Sequence, residues 1–173
     1  MRLKIAVAER RSGGVLIYVK QSLAERVREI ELGPIIEADI GELAAIQLDG
    51  LIVMTTYLAP GSPDVDVRMF VQHILHKQFY DRSKLFLLVG DLNVDVPKTW
   101  FIEHMSDKCG LTCYSVQHPY PTTIRGTTID LVFSNYPVLP VLEPLSLHFP
   151  DNKAVIIKSH ISPTLYNTSN KEL

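Results

Sequence analysis

This sequence has few cysteines, no basic excess and no long apolar run, and each shortage excludes a class of protein. Among 173 residues there are two cysteines, Cys109 and Cys113, spaced C-x3-C with only scattered histidines elsewhere. That is too few for a disulfide framework, and it falls short of the ligand count of a structural zinc site, so two reduced, semi-buried thiols are expected. The formal net charge of -2 provides no overall basic field, so any nucleic-acid contact has to rest on a local patch. The longest basic cluster, Glu9-Arg10-Arg11 with Arg2 and Lys4 nearby, reads as a solvated terminus. No stretch of about 18 apolar residues occurs, and the polar start does not read as a signal peptide. The expectation is an intracellular protein, nuclear or cytoplasmic, with no membrane partner.

What is present suits a folded core. With 46% hydrophobic, 21% charged and 8% aromatic residues, the chain lies outside the disordered class, and its length suits one domain. We expect a single domain over residues 1–162 and a polar tail over 163–173. The run Val15-Leu16-Ile17-Tyr18-Val19, opened by Gly13-Gly14, predicts a buried strand. Ala44 to Leu48 and Leu51 to Tyr57 flank Asp49-Gly50, a strong short-range hairpin signal. Val65 to Tyr80 places Val67, Phe70, Val71, Ile74, Leu75 and Phe79 at helical spacing, which predicts an amphipathic helix crossing one face of a sheet. Leu85 to Val89 is an apolar strand ending in Gly90-Asp91-Leu92-Asn93. Trp100 to Lys108 reads as a second helix, stopped by Gly110. Ile129 to Ser134 and Ala154 to Ser159 are the last strand candidates, joined through Pro137, Pro140, Pro144 and Pro150. Strands dominate and two helices lie outside them, so the expected class is α/β, a sandwich of packed sheets flanked by helices.

Three strand ends deliver acids or amides: Asp91 with Asn93, Asp130, and Asp151 with Asn152. Oxygen donors gathered at strand ends suit a hard cation such as Mg2+, which keeps waters for a phosphate substrate. Taken singly, each of these residues reads as a turn or cap residue, because Asp and Asn bond their own backbone in turns; it is their serial order that points to a site.

Five segments occur in a telling order: Gly13-Gly14-Val15-Leu16-Ile17-Tyr18, Tyr57-Leu58-Ala59-Pro60, Gly90-Asp91-Leu92-Asn93, Pro121-Thr122-Thr123 through Gly126, and Ile129-Asp130-Leu131-Val132-Phe133. Together, over residues from about 11 to 162, they resemble the later two-thirds of an endonuclease/exonuclease/phosphatase-type domain of the non-LTR retrotransposon or Helitron kind. The resemblance implies Tyr57 on the rim near the scissile phosphate, Asp91 activating the attacking water, and Asn93 orienting that water and a phosphate oxygen. It makes Asp130 the carboxylate that holds a catalytic histidine, Asp151 a weak metal ligand beside Asp91, and Thr123 and Arg125 substrate contacts.

The departures from the family pattern matter as much. The family's Ser-Asp-His appears here as Pro150-Asp151-Asn152, and an amide cannot act as a general acid near neutral pH. Twelve residues precede Gly13, so the family's first strands, with the metal-binding glutamate, are expected to be absent. His148 is a candidate for the vacant imidazole place. These readings lead to a degenerate domain with a vestigial site and no required cofactor, kept for protein interaction or nucleic-acid association. The alternative is an active Mg2+-dependent DNA endonuclease completed by another chain or by a longer parent protein. Loss of the first strands also predicts an exposed sheet edge or core face taken up by a protein partner or a second copy, with weak nucleic-acid binding beside it. The alternation of Leu3, Ile5 and Val7 reads as a replacement strand capping that edge.

Overall fold

The computed structural model describes residues 3–7, 15–31, 41–74, 83–94, 99–117, 120–140, 145–146 and 153–158. Strand β1 (Leu3–Val7) runs antiparallel to β2 (Leu16–Val19), with Leu3 opposite Val19 and Ile5 opposite Ile17. The alternating N-terminus therefore does pair with the Val15 strand. A short 3-10 turn (Gln21–Arg26) leads into β3 (Val27–Glu29), then β4 (Gly41–Leu48) and β5 (Leu51–Leu58). Helix α1 (Asp64–Ile74) connects to β6 (Leu85–Asp91), and α2 (Thr99–Cys109) is followed by β7 (Thr112–Cys113) and the single turn α3 (Tyr114–Gln117). Beyond β8 (Asp130–Ser134) come four two-residue strands, β9 (Leu139–Pro140), β10 (Leu145–Ser146), β11 (Lys153–Ala154) and β12 (Ile157–Lys158).

The organising layer is a six-stranded sheet in the order β3-β4-β5-β6-β8-β7. The Asp49-Gly50 turn closes the β4–β5 hairpin with Leu48 opposite Leu51, and Asp49 sits at φ 51, a left-handed conformation that aspartate tolerates better than most residues. The β5–β6 pair is the sheet's parallel one, joined through α1 as parallel strands require. Gly110 ends α2 at φ 64, its N–H donating to the Ser106 carbonyl at 2.8 Å, the left-handed stop that glycine makes without a Cβ penalty.

Strand alternation sorts the side chains onto two faces. Ala45, Met54, Leu88 and Phe133 turn toward the helices, where Val67, Phe70 and Val71 of α1 and Phe101 and Met105 of α2 close the main core. Leu51, Leu87 and Val132 turn the other way and meet Tyr136, Val138 and Ile157, while β1 and β2 lie against β4. The result is the α/β architecture with a central sheet that the sequence predicts.

Three expectations are corrected. Val15 to Val19 is not fully buried: Val15 and Val19 point inward, but Leu16 is 36% and Tyr18 62% exposed, because β2 has a layer beneath it and, among the described residues, none above. Ala154 to Ser159 is not one strand; it divides into β11, paired with β10, and β12, paired with β9, because its two halves find partners on different segments. The β4 strand starts at Gly41, not Ala44, which brings Glu42 into the sheet. Residues 75–80, with Leu75 and Phe79 of the expected longer helix, lie outside the described residues.

Candidate active site

The parallel β5–β6 register and the antiparallel β6–β8 register place Tyr57, Asp91 and Asp130 side by side across three strands. All three stand at one end of the sheet on the face opposite the helices, in line with Val53, Val89 and Val132. Directly opposite Tyr57 on β4 is Glu42, which is 5% exposed. The row therefore begins with a buried acid that sequence reasoning missed, although a lone glutamate in an otherwise apolar alternating run was a visible signal.

Gly90 makes this row fit together. A Cβ at Gly90 would run into the Thr56 backbone, so only glycine lets β6 approach β5 this closely one residue before Asp91. After Asp91 the chain turns sharply. The Asn93 N–H donates to Asp91 Oδ1 at 3.0 Å, Asn93 sits at φ 46, and its side-chain Nδ2 donates to the Leu58 carbonyl at 2.7 Å. The turn-residue reading of both groups is thus observed. The Asn93 amide nitrogen ties the exit of β6 to the end of β5 through the Leu58 carbonyl.

Asp130 is held by Thr122, a residue quoted in the family motif but given no role from sequence. Thr122 Oγ1 accepts the N–H groups of both Ile129 and Asp130 at 3.2 Å. Asp130 Oδ2 is buried with no hydrogen-bond partner among the described residues. Burial raises the Asp130 carboxyl above its ordinary range against the opposing Thr122 hydrogen bond. Asp91 is pushed up to about 6, chiefly by burial and further by the neighbouring charge of Asp130, while the Asn93 N–H works the other way. Burial beside a second carboxylate disfavours the charged form, so Asp91 takes up a proton at a higher pH than an ordinary aspartate.

Of the remaining site residues expected from sequence, Thr123 is buried and shares its hydroxyl with Thr127 at 2.7 Å, which closes a hairpin and leaves the side chain turned inward. Arg125 is exposed at the tip of that hairpin. Asp151, Asn152 and His148 lie outside the described residues. The Mg2+ implied by the resemblance finds no group of three or more His, Cys, Asp or Glu side chains able to hold it among the described residues. Asp91 and Asp130 alone fall short of the oxygen-donor set that a dedicated site supplies.

Residues 5–152 match the Endonuclease/Exonuclease/phosphatase family, and the chain belongs to it. Among solved structures, the human nocturnin catalytic domain with a bound sulfate anion is similar at 12% identity and a TM-score of 0.55, over 83% of this chain and 62% of that one. An endonuclease/exonuclease/phosphatase family protein from Bacteroides thetaiotaomicron is similar at 12% identity and a TM-score of 0.55, over 91% of this chain and 70% of that one. At this identity the likeness establishes the fold alone, and the chain spans about three-fifths of the nocturnin domain's length. Comparison with curated proteins finds no match.

Proposed function

We propose that this chain is a catalytically degenerate, retrotransposon-type member of the family that binds and does not cleave, and that it requires no cofactor. One observation carries the reading. Asp130, the carboxylate that in the family pattern orients a histidine, presents a buried Oδ2 without a partner among the described residues, and the sequence places Asn152 where that histidine belongs. An amide neither accepts a proton nor stabilises developing phosphorane charge as an imidazolium does, and loss of one acid–base group costs about 10²- to 10⁴-fold in rate.

The chain is then a nucleic-acid-associated or protein-interaction module within the cell, nuclear or cytoplasmic. The protein partner is a second copy of the chain, added at the edge of the β1–β2 pair, beside the exposed Leu16 and Tyr18. One observation favours a second reading, an active Mg2+-dependent endonuclease completed by another chain: Tyr57, Asp91 and Asp130 keep a common register despite the changed histidine position. Incubation of the purified chain with plasmid, abasic and single-stranded DNA in Mg2+ and in Mn2+, against an Asp91→Ala control, separates the two. Background-level cleavage is expected in every lane. Cleavage that vanishes in the control means that the second reading is right.

A further inference from the structure

A cleft of about 360 Å³ opens at the β3 edge of the central sheet, lined by Glu25, Arg26, Arg28, Gln47 and Asp49. It is remote from the row of Tyr57, Asp91 and Asp130. Arg28 stands opposite Gln47 across β3 and β4, and Gln47 shares its face of β4 with Leu43 and Ala45, which turn toward the helices. From Leu51, beside the Asp49-Gly50 turn, to Tyr57 the strand rises about 20 Å, so the cleft and the row lie at opposite ends of the sheet and on opposite faces. Part of the cleft is fixed from within. Arg26 Nε donates to Asp49 Oδ1 and Oδ2 at 3.4 and 3.1 Å, and Nη2 meets Oδ2 as well. The Asp49 N–H donates to the Arg26 carbonyl at 3.3 Å, and Gln47 Nε2 donates to the Asp49 carbonyl at 2.6 Å. An exposed ion pair adds little stability, but this one braces two sides of the cleft in one geometry and uses up both of its own charges.

Glu25 and Arg28 are left over. Among the described residues neither has a hydrogen bond or an ion pair, with the other or with a neighbour, and Gln47 keeps its Oε1 as an acceptor. The cleft therefore presents one unpaired cation, one unpaired anion and one carbonyl oxygen. We propose that it binds a free α-amino acid, whose carboxylate meets the Arg28 guanidinium and whose ammonium meets the Glu25 carboxylate and Gln47 Oε1. Three observations select this ligand. The planar guanidinium fork matches a carboxylate with two parallel hydrogen bonds. A phosphate would match the fork as well, but the carboxylates of Glu25 and Asp49 balance the guanidiniums of Arg26 and Arg28 in the lining, so a dianion finds no net positive charge to hold it, whereas a zwitterion answers both free groups. The volume is near the lower bound of roughly 300 Å³ for small-ligand sites, and a lining made wholly of polar and charged residues leaves an apolar ligand nothing to gain.

The groups recognised are common to all α-amino acids, so L-alanine serves as the probe. Amide chemical shifts of the isotope-labelled chain are followed by NMR during titration with L-alanine, with N-acetylalanine, which lacks the ammonium, with alaninamide, which lacks the carboxylate, and with inorganic phosphate. L-alanine is expected to give saturable shifts at Arg28, Gln47 and Asp49 with a Kd on the order of 1 mM, while the Asp91 and Asp130 signals stay in place. N-acetylalanine and alaninamide should bind at least about 10-fold more weakly, since each leaves one charged group of the cleft unanswered. Arg28→Ala and Glu25→Gln should each weaken L-alanine binding by about 10-fold or more, and both variants should melt as the parent does, as exposed positions allow. No saturable shift by about 50 mM L-alanine, phosphate or either blocked analogue bound as tightly as L-alanine, or binding unaltered in Arg28→Ala would each overturn the proposal.

Discussion

Asp91 faces two opposed demands, because the Asx-type turn to Asn93 favours its ionised form while burial and Asp130 favour the neutral one, and burial wins. The consequence for stability has a definite sign. The folded carboxyl titrates near 6, above its unfolded value, so between about pH 4 and 6 the native state holds more protons than the unfolded chain and stability falls as pH rises through that window. Because the group is only partly buried, solvent screening reduces the effect to on the order of 1 kcal/mol. Asp91→Asn keeps the acceptor for the Asn93 N–H and removes the charge. Urea unfolding at pH 4.5 and pH 7.5 should show a variant more stable than the parent at the higher pH and nearly equal to it at the lower. A parent–variant difference independent of pH would mean that Asp91 titrates normally.

The strand pairs position the site more than its individual side chains do. Two amides act as splints at opposite ends of β6. Asn135 takes the Phe86 N–H on Oδ1 and gives Nδ2 to the Lys84 carbonyl, both at 2.8 Å, and Asn93 ties the far end to Leu58. Between them Gly90 permits the approach of β6 to β5, and the obstacle to a larger residue is backbone, which cannot swing aside. Gly90→Ala should therefore cost about 3 kcal/mol, at the upper end of overpacking changes, and should broaden or shift the amide signals of Thr56, Tyr57 and Asp91 in an NMR spectrum. A loss below about 0.5 kcal/mol, the scale of ordinary surface changes, would show that the strands are not in this register.

For the molecule as a whole, the described residues cover the two faces of the central sheet with different elements. The helix face is closed by α1 and α2, while the other carries β1–β2 at one end and the short C-terminal strands at the other. Among the described residues no further strand pairs with β1–β2 beside exposed Leu16 and Tyr18, and an unpaired edge is a template for strand addition. Light scattering at micromolar concentration should show a dimer that Tyr18→Lys shifts to monomer, since a buried unpaired cation opposes pairing of two copies. A monomer at every concentration would remove the case for self-association.

Local features were legible without coordinates wherever the physics is local. Apolar periodicity placed β4, β5, α1, β6 and α2, Asp49-Gly50 fixed the hairpin, Gly110 stopped a helix, and the Gly90-Asp91-Leu92-Asn93 and Ile129-Asp130 segments marked the family. Each depends on backbone conformation or on side chains a few residues apart. Tertiary structure alone decided that Asp91 and Asp130 are direct neighbours and that the Asp130 charge helps raise the Asp91 carboxyl, that Glu42 stands in their row, that the Asn93 amide nitrogen is bonded to Leu58, and that Leu16 and Tyr18 face outward. Those facts depend on which strands pair and in what register. A period of two tells which residues share a face but leaves the partner strand unnamed, and the choice is made by core packing among segments far apart in the chain.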